Sequence, residues 1–238
     1  MKEALPGAPL LSSYHYMKPL ILFDLDGTLV DSAPELVASI NRLRENRSLE
    51  PLPYGQLRPY AGMGAKGLLK AGLDMSEDDP FFAQTKEEFL SDYQAHCADN
   101  IMMFEGIPEL LFLIEKQGWK WGIVTNKFEC FAHPILEKLH LMERACVVVC
   151  GDATMKLKPH PDNLIVALQK TAREATECVY VGDDIRDAQA AAKIPMTFAA
   201  ASWGYLGKVQ NIGQWSAHHV ASDPLDLMEW LFSVFRKA

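Results

Sequence analysis

The chain has 238 residues, of which 49% are hydrophobic and 23% charged, with a formal net charge of -8. Such a length buries a sizeable core and suits one large domain or a domain with an insert, and the composition is that of an ordinary globular protein. The acidic balance argues against nucleic acid or an anionic membrane as the main partner and favours a small soluble ligand.

Residues 1–16 carry Glu3, Pro6 and Pro9 and no long apolar run. They read as an extension before the fold, with neither a signal peptide nor a membrane span. The first strong strand signal covers Leu20 to Asp24, and further strands are predicted over Lys120 to Thr125, Cys146 to Cys150, Cys178 to Val181, Met196 to Ala199 and His218 to Ala221. Amphipathic segments at 106–118, 132–141, 161–172, 184–194 and 224–235 alternate with these strands. That alternation predicts an α/β fold with a doubly wound, Rossmann-like parallel sheet. About ninety residues separate the first two strands, far more than one crossover helix needs. Their pattern is helical at 32–48, 65–73 and 80–100. We therefore expect a core of residues 17–30 and 104–238, with a helical cap domain inserted at 31–103.

Within the insert, Gly62-Met63-Gly64-Ala65-Lys66-Gly67 fits the spacing of a dinucleotide-binding turn. The motif needs a buried strand before it. The preceding "GQLRPYA" contains Pro59 and is too polar for a central strand, and no acidic residue follows at the ribose-binding position. The stretch reads instead as a cap loop whose Gly62 and Gly64 let the backbone approach a substrate. Lys66 and Arg58 are cap cations available to a second anionic group of that substrate, or are solvated.

The five cysteines show no C-x-x-C pair, which argues for reduced thiols in a cytoplasmic protein rather than disulfides or zinc. Cys146 and Cys150 are expected on one buried strand face.

The chemistry concentrates at strand ends. Asp24 and Asp26 close the first strand on the same side of the extended chain, their carboxyls roughly 6 to 7 Å apart, and Gly27 allows a sharp turn. Thr125 and Asn126 end the second predicted strand, where small side chains and turn amides can hold phosphate oxygens. Lys158 precedes a stiff Pro-His-Pro segment and can neutralise an attacking carboxylate and a phosphoryl group. Gly182, Asp183 and Asp184 end another strand, with Asp187 one turn later; Asp184 and Asp187 also suit helix caps.

Asp24-Leu25-Asp26-Gly27-Thr28, Thr125, Lys158-Pro159 and Gly182-Asp183 to Asp187 match, in order, the four motifs of the haloacid dehalogenase-like superfamily, and the chain is identified as a member on that resemblance. It implies a phosphohydrolase in which Asp24 is the nucleophile that becomes an aspartyl-phosphate and Asp26 the general acid and base. It implies further that Thr125 and Lys158 take the phosphoryl oxygens. Magnesium is implied as the cofactor, on Asp24, Asp183 and the backbone carbonyl of Asp26, with Asp187 orienting ligands from behind. An acid at position 26 favours a phosphatase or phosphomutase over a dehalogenase. Leu36 stands about where the sugar phosphomutase branch carries His, which counts against a mutase. "DSAPEL" and the glycine-rich cap loop resemble phosphoglycolate phosphatases. The segments from "GDDIRDAQAAAKIPMTF" onward resemble more particularly a proteobacterial subgroup near N-acetylmuramic acid 6-phosphate phosphatase. The partner implied is a small-molecule phosphate ester, and both substrates stay open.

Overall fold

A computed structural model describes residues 18–206 and 211–235; the expected extension at 1–16 lies outside the described residues. The main sheet has six strands, β1 (Leu20–Phe23), β4 (Lys120–Val124), β5 (Val148–Val149), β6 (Cys178–Gly182), β7 (Thr197–Ala201) and β8 (His219–Ala221). Their order is β5-β4-β1-β6-β7-β8 and every pairing is parallel. A separate antiparallel ribbon joins β2 (Val30–Asp31) to β3 (Met102–Met103).

The two-residue period of a strand divides the interior into two cores. Ile21 and Phe23 of β1, Val179 and Val181 of β6, and Ala199 and Ala201 of β7 enter one core. Leu20 and Leu22, Cys178 and Tyr180, and Phe198 and Ala200 enter the other. Helices α5 (Ile107–Lys116), α6 (Glu129–Lys138) and α9 (Pro224–Phe235) supply the first core, and α7 (Asp162–Thr171) and α8 (Ile185–Ala192) the second. Strands buried on both faces read as unbroken apolar runs, which is why β1, β4 and β6 are so plain in the sequence.

Between β2 and β3 lie α1 (Ala33–Glu45), the short α2 (Tyr54–Leu57), α3 (Gly64–Leu73) and α4 (Phe82–His96). Their apolar residues Leu36, Ile40, Leu68 and Phe89 join the first core. Arg42 of α1 grips Asp92 of α4 with Nε–O distances of 3.0 and 2.9 Å and a 2.7 Å contact from Nη2. Buried Glu35 accepts the backbone and side-chain N–H groups of Asn100, at 3.1 and 2.7 Å. An unpaired carboxylate there would be costly, so this bond fixes the end of α4 on α1.

Three expectations are corrected. The 62–67 segment is not an open loop: 58–63 forms a 3-10 turn and α3 begins at Gly64. Gly64 is required by its φ of 63°, for an added Cβ would meet nothing within 4 Å. Only Val148–Val149 of the predicted 146–150 strand is regular, and Cys146 is exposed while Cys150 is buried.

Ile21 is fully buried at the centre of the sheet. Ile21→Ala should lower stability by about 2–5 kcal/mol, seen as a lower urea midpoint at unchanged m-value.

Candidate active site

Parallel strands place their carboxyl ends on one edge, and Asp24, Thr125 and Asp183 each follow directly from β1, β4 and β6 there. Asp24 extends the ladder, its N–H donating to Val181 O at 2.8 Å. Its parity with Leu20 and Leu22 turns it to the side on which Tyr180, paired with Leu22, projects from β6.

Lys158 is buried at the centre of this edge. Its Nζ lies 2.8 Å from Asp24 Oδ1 and 2.7 Å from Asp187 Oδ1, and it donates to the Tyr180 hydroxyl at 2.8 Å. Burial alone would lower the Lys158 pKa; the charges of Asp187 and Asp24 outweigh it and hold the pKa above its ordinary value. Asp187 is fully engaged: Oδ1 also accepts from Tyr180 and Oδ2 from the Asp184 N–H, both at 3.1 Å. Asp184 caps α8, with Asp187 completing the capping box, and pairs with Arg186 at 2.7 Å.

Asp183 is held by the Thr28 hydroxyl at 3.0 Å and the Tyr205 N–H at 2.7 Å. Gly27 and Gly204 pack against it so closely that a Cβ on either would overlap the carboxylate. Asp24, Asp183 and Asp187 each offer an oxygen within 4.8 Å of the others. Of these three buried carboxylates, Asp24 and Asp187 share the Lys158 ammonium, and Asp183 has no cation against it among the described contacts. Asp24 Oδ1, although beside Lys158, makes no hydrogen bond of acceptable direction. A buried acceptor left over in a negative cluster, with oxygen ligands only, fits a divalent cation.

That surplus charge shows in the pKa values. Burial first, and then Asp187 and Asp26, push Asp24 up to about 6 against the pull of Lys158. Burial and the charges of Asp24 and Asp187 raise Asp183 well above the carboxylate range.

Asp26 lies apart from this cluster. Both its oxygens take Lys127 Nζ, at 2.8 and 3.0 Å, and the Ser32 hydroxyl bonds Oδ1. Thr125 is buried, and its Oγ1 accepts the Lys127 N–H at 3.1 Å. Asn126 lines the same cleft, and its side chain has a structural partner as well. Its amide bonds the Lys158 backbone both ways, Nδ2 to O at 3.1 Å and Oδ1 from N at 2.9 Å, which anchors the Lys158 loop.

These residues floor a cleft of about 400 Å³ that α3, α4 and α6 help to wall. Gly62 and Gly64 line it, and Gly62 O accepts Arg186 Nη2 at 2.6 Å. Lys66 does not line it; it sits on the outer side of α3, paired with Glu77. Arg58 stacks over the Tyr205 ring at 5.3 Å and is likewise outside the lining. Lys127, Tyr93, Arg186 and Tyr205 were not anticipated. Of these only Lys127 carries a local signal, adjoining Thr125-Asn126 at a strand end.

A family model described as haloacid dehalogenase-like hydrolase matches residues 21–201. The chain belongs to that family. It is 39% identical to a phosphoglycolate phosphatase of Xanthomonas campestris pv. campestris, over 88% of this chain and 94% of that one. It is 36% identical to an N-acetylmuramic acid 6-phosphate phosphatase of Pseudomonas aeruginosa, over 89% and 93%. A crystal structure described as a predicted phosphoglycolate phosphatase from Haemophilus somnus superposes with a TM-score of 0.78 at 25% identity, covering 90% of this chain and 98% of that one. For this hydrolase of the haloacid dehalogenase-like family, the α/β core is the one its structural neighbour shares.

The raised Asp24 gives a test of the cluster's electrostatics. Its folded-state pKa lies above its ordinary 3.8, so the native chain binds the extra proton between those values. The metal-free fold therefore loses stability as pH rises from about 4 to about 6, on the order of 3 kcal/mol for this group. Asp24→Asn should raise the melting temperature in chelator at pH 7.5, and the gain should vanish below pH 4; a loss at pH 7.5 would contradict the charge balance.

Proposed function

We propose that the enzyme is a magnesium-dependent phosphoric monoester hydrolase acting on a small phosphorylated metabolite of the 2-phosphoglycolate type. The single observation that carries this is the buried Asp24–Lys158–Asp187 contact with Asp183 beside it, at the carboxyl edge of the sheet.

Asp24, Asp183 and the backbone carbonyl of Asp26 would hold the ion. When bound, magnesium balances the carboxylate charge and that of the phosphoryl oxygens. Lys158 steadies the Asp24 carboxylate and lends its charge to the transferring group, while the Thr125 hydroxyl is a donor to a phosphoryl oxygen. Asp24 attacks phosphorus as the bond to the alkoxide breaks, and Asp26 gives that alkoxide its proton. Asp26, now a carboxylate, takes a proton from the water that attacks the aspartyl-phosphate, and the Asp24–phosphorus link breaks to release phosphate. Asp187, fully hydrogen-bonded, orients Lys158 rather than reacting. Leu36, which lines the cleft where a mutase-like chain would carry His, supports hydrolysis over phosphomutase action.

A second reading, N-acetylmuramic acid 6-phosphate as substrate, draws support from the cleft's size and wall. About 400 Å³ falls in the range of sites for drug-sized ligands, more than a two-carbon ester fills. Phe89, Leu90, Phe128 and Phe131 give that space an apolar side suited to a sugar face. Residues 31–103 are proposed as the cap that encloses this part of the substrate. No helix among the described residues is long and apolar enough to cross a membrane. The five free cysteines support a reducing, cytoplasmic setting.

Phosphate release from both esters, compared by kcat/KM, is the test. Magnesium should be required, chelator should abolish turnover, and Asp24→Asn should lower it by about 10⁴-fold or more. Turnover that survives Asp24→Asn would refute the nucleophile, and turnover indifferent to chelator would refute the metal.

A further inference from the structure

Lys127 is a buried cation that the chemistry above does not use. It lies in the turn after β4, and its side chain is only 7% exposed. An ammonium has three donors and here meets three acceptors: Asp26 Oδ1 and Oδ2 at 2.8 and 3.0 Å and the Tyr93 hydroxyl at 2.8 Å. Tyr93 belongs to α4, lines the cleft and is itself buried, stacked on Phe89 at 6.3 Å and tilted on Phe131 at 5.6 Å. The Lys127 side chain is therefore fixed at both ends. The Asp26 carboxylate is fixed in turn, for its other contact among the described residues is Ser32.

We propose that Lys127 is a positioning residue that ties the acid–base carboxylate of Asp26 to helix α4 through the Tyr93 hydroxyl. This rests on the reading of Asp26 as the group that protonates the leaving alkoxide. Proton transfer needs the carboxyl within hydrogen-bond reach of that oxygen, and a displacement of about 1 Å costs on the order of 10²-fold. Without Lys127 the carboxylate keeps Ser32 but loses the contact that spans both its oxygens. Because the anchor's other end is on α4, the geometry of proton transfer depends on how that helix is seated over the sheet.

The chain itself offers a control. An alkyl phosphate needs its leaving oxygen protonated, whereas p-nitrophenyl phosphate has a stable leaving anion and needs it far less. Since kcat/KM reports the phosphoryl-transfer half of the reaction, the ratio of alkyl to aryl kcat/KM isolates the acid's role. Lys127→Met should lower that ratio by about tenfold or more, and Tyr93→Phe, which removes only the hydroxyl, should lower it in the same direction by less. Asp26→Asn should lower it most, and circular dichroism should show all three variants folded. A Lys127→Met or Tyr93→Phe loss that falls equally on both esters, with Asp26→Asn selective, would overturn the positioning role alone. An Asp26→Asn loss equal on both would overturn the acid assignment beneath it.

Discussion

One buried ammonium organises the catalytic edge of this protein. Lys158 is 2.8 Å from Asp24 and 2.7 Å from Asp187, and with Asp183 nearby its charge is outnumbered. Breaking a buried charge pair leaves the other partner unpaired at a cost of several kcal/mol, so Lys158 constrains both carboxylates at once. The cluster remains negative even so, which is why burial and repulsion raise Asp24 and Asp183 together. A cluster left negative in this way suits a cation, and Asp24, the proposed nucleophile, keeps one buried oxygen without a hydrogen bond.

Elements distant in the chain hold that ammonium in place. Asn126, one residue past the strand-end Thr125, bonds the Lys158 backbone in both directions and so locks the loop that follows β5 onto the end of β4. Tyr180, inward-facing on β6, accepts from Lys158 and has both Val124 O, at 2.9 Å, and Asp187 Oδ1, at 3.1 Å, in reach of its one hydroxyl hydrogen. Trp203 donates to Thr28 O at 3.0 Å, steadying the turn from which Thr28 reaches Asp183. The register of β1 between β4 and β6 sets the side on which Asp24 meets these groups, since a slip of one residue would turn it to the opposite face.

How much of this could be read beforehand follows from the range of each signal. Strands β1, β4 and β6 were legible because double burial makes continuous apolar runs, and Asp24 and Asp183 because each charge ends such a run. Local pattern failed where a partner is remote. Asn126 bonds the Lys158 backbone 32 positions on, a role that no local pattern shows. Lys66 on α3 was left open between a substrate anion and solvent, and the structure shows it exposed and paired with Glu77. Lys127 and Asp26 stand 101 positions apart, and Tyr93 comes to Lys127 only through the packing of α4. The glycines at 62 and 64 mattered, though through the positive φ that starts α3 and a carbonyl for Arg186 rather than through an open loop.

The central claim is that Asp24 becomes phosphorylated during turnover. Its most direct test is rapid acid quench during turnover of an aryl phosphate, followed by peptide mapping by mass spectrometry. The account predicts a phosphoryl adduct on Asp24, formed in step with the burst of released phenol. An adduct on any other side chain, or a burst with Asp24 unmodified, would contradict it.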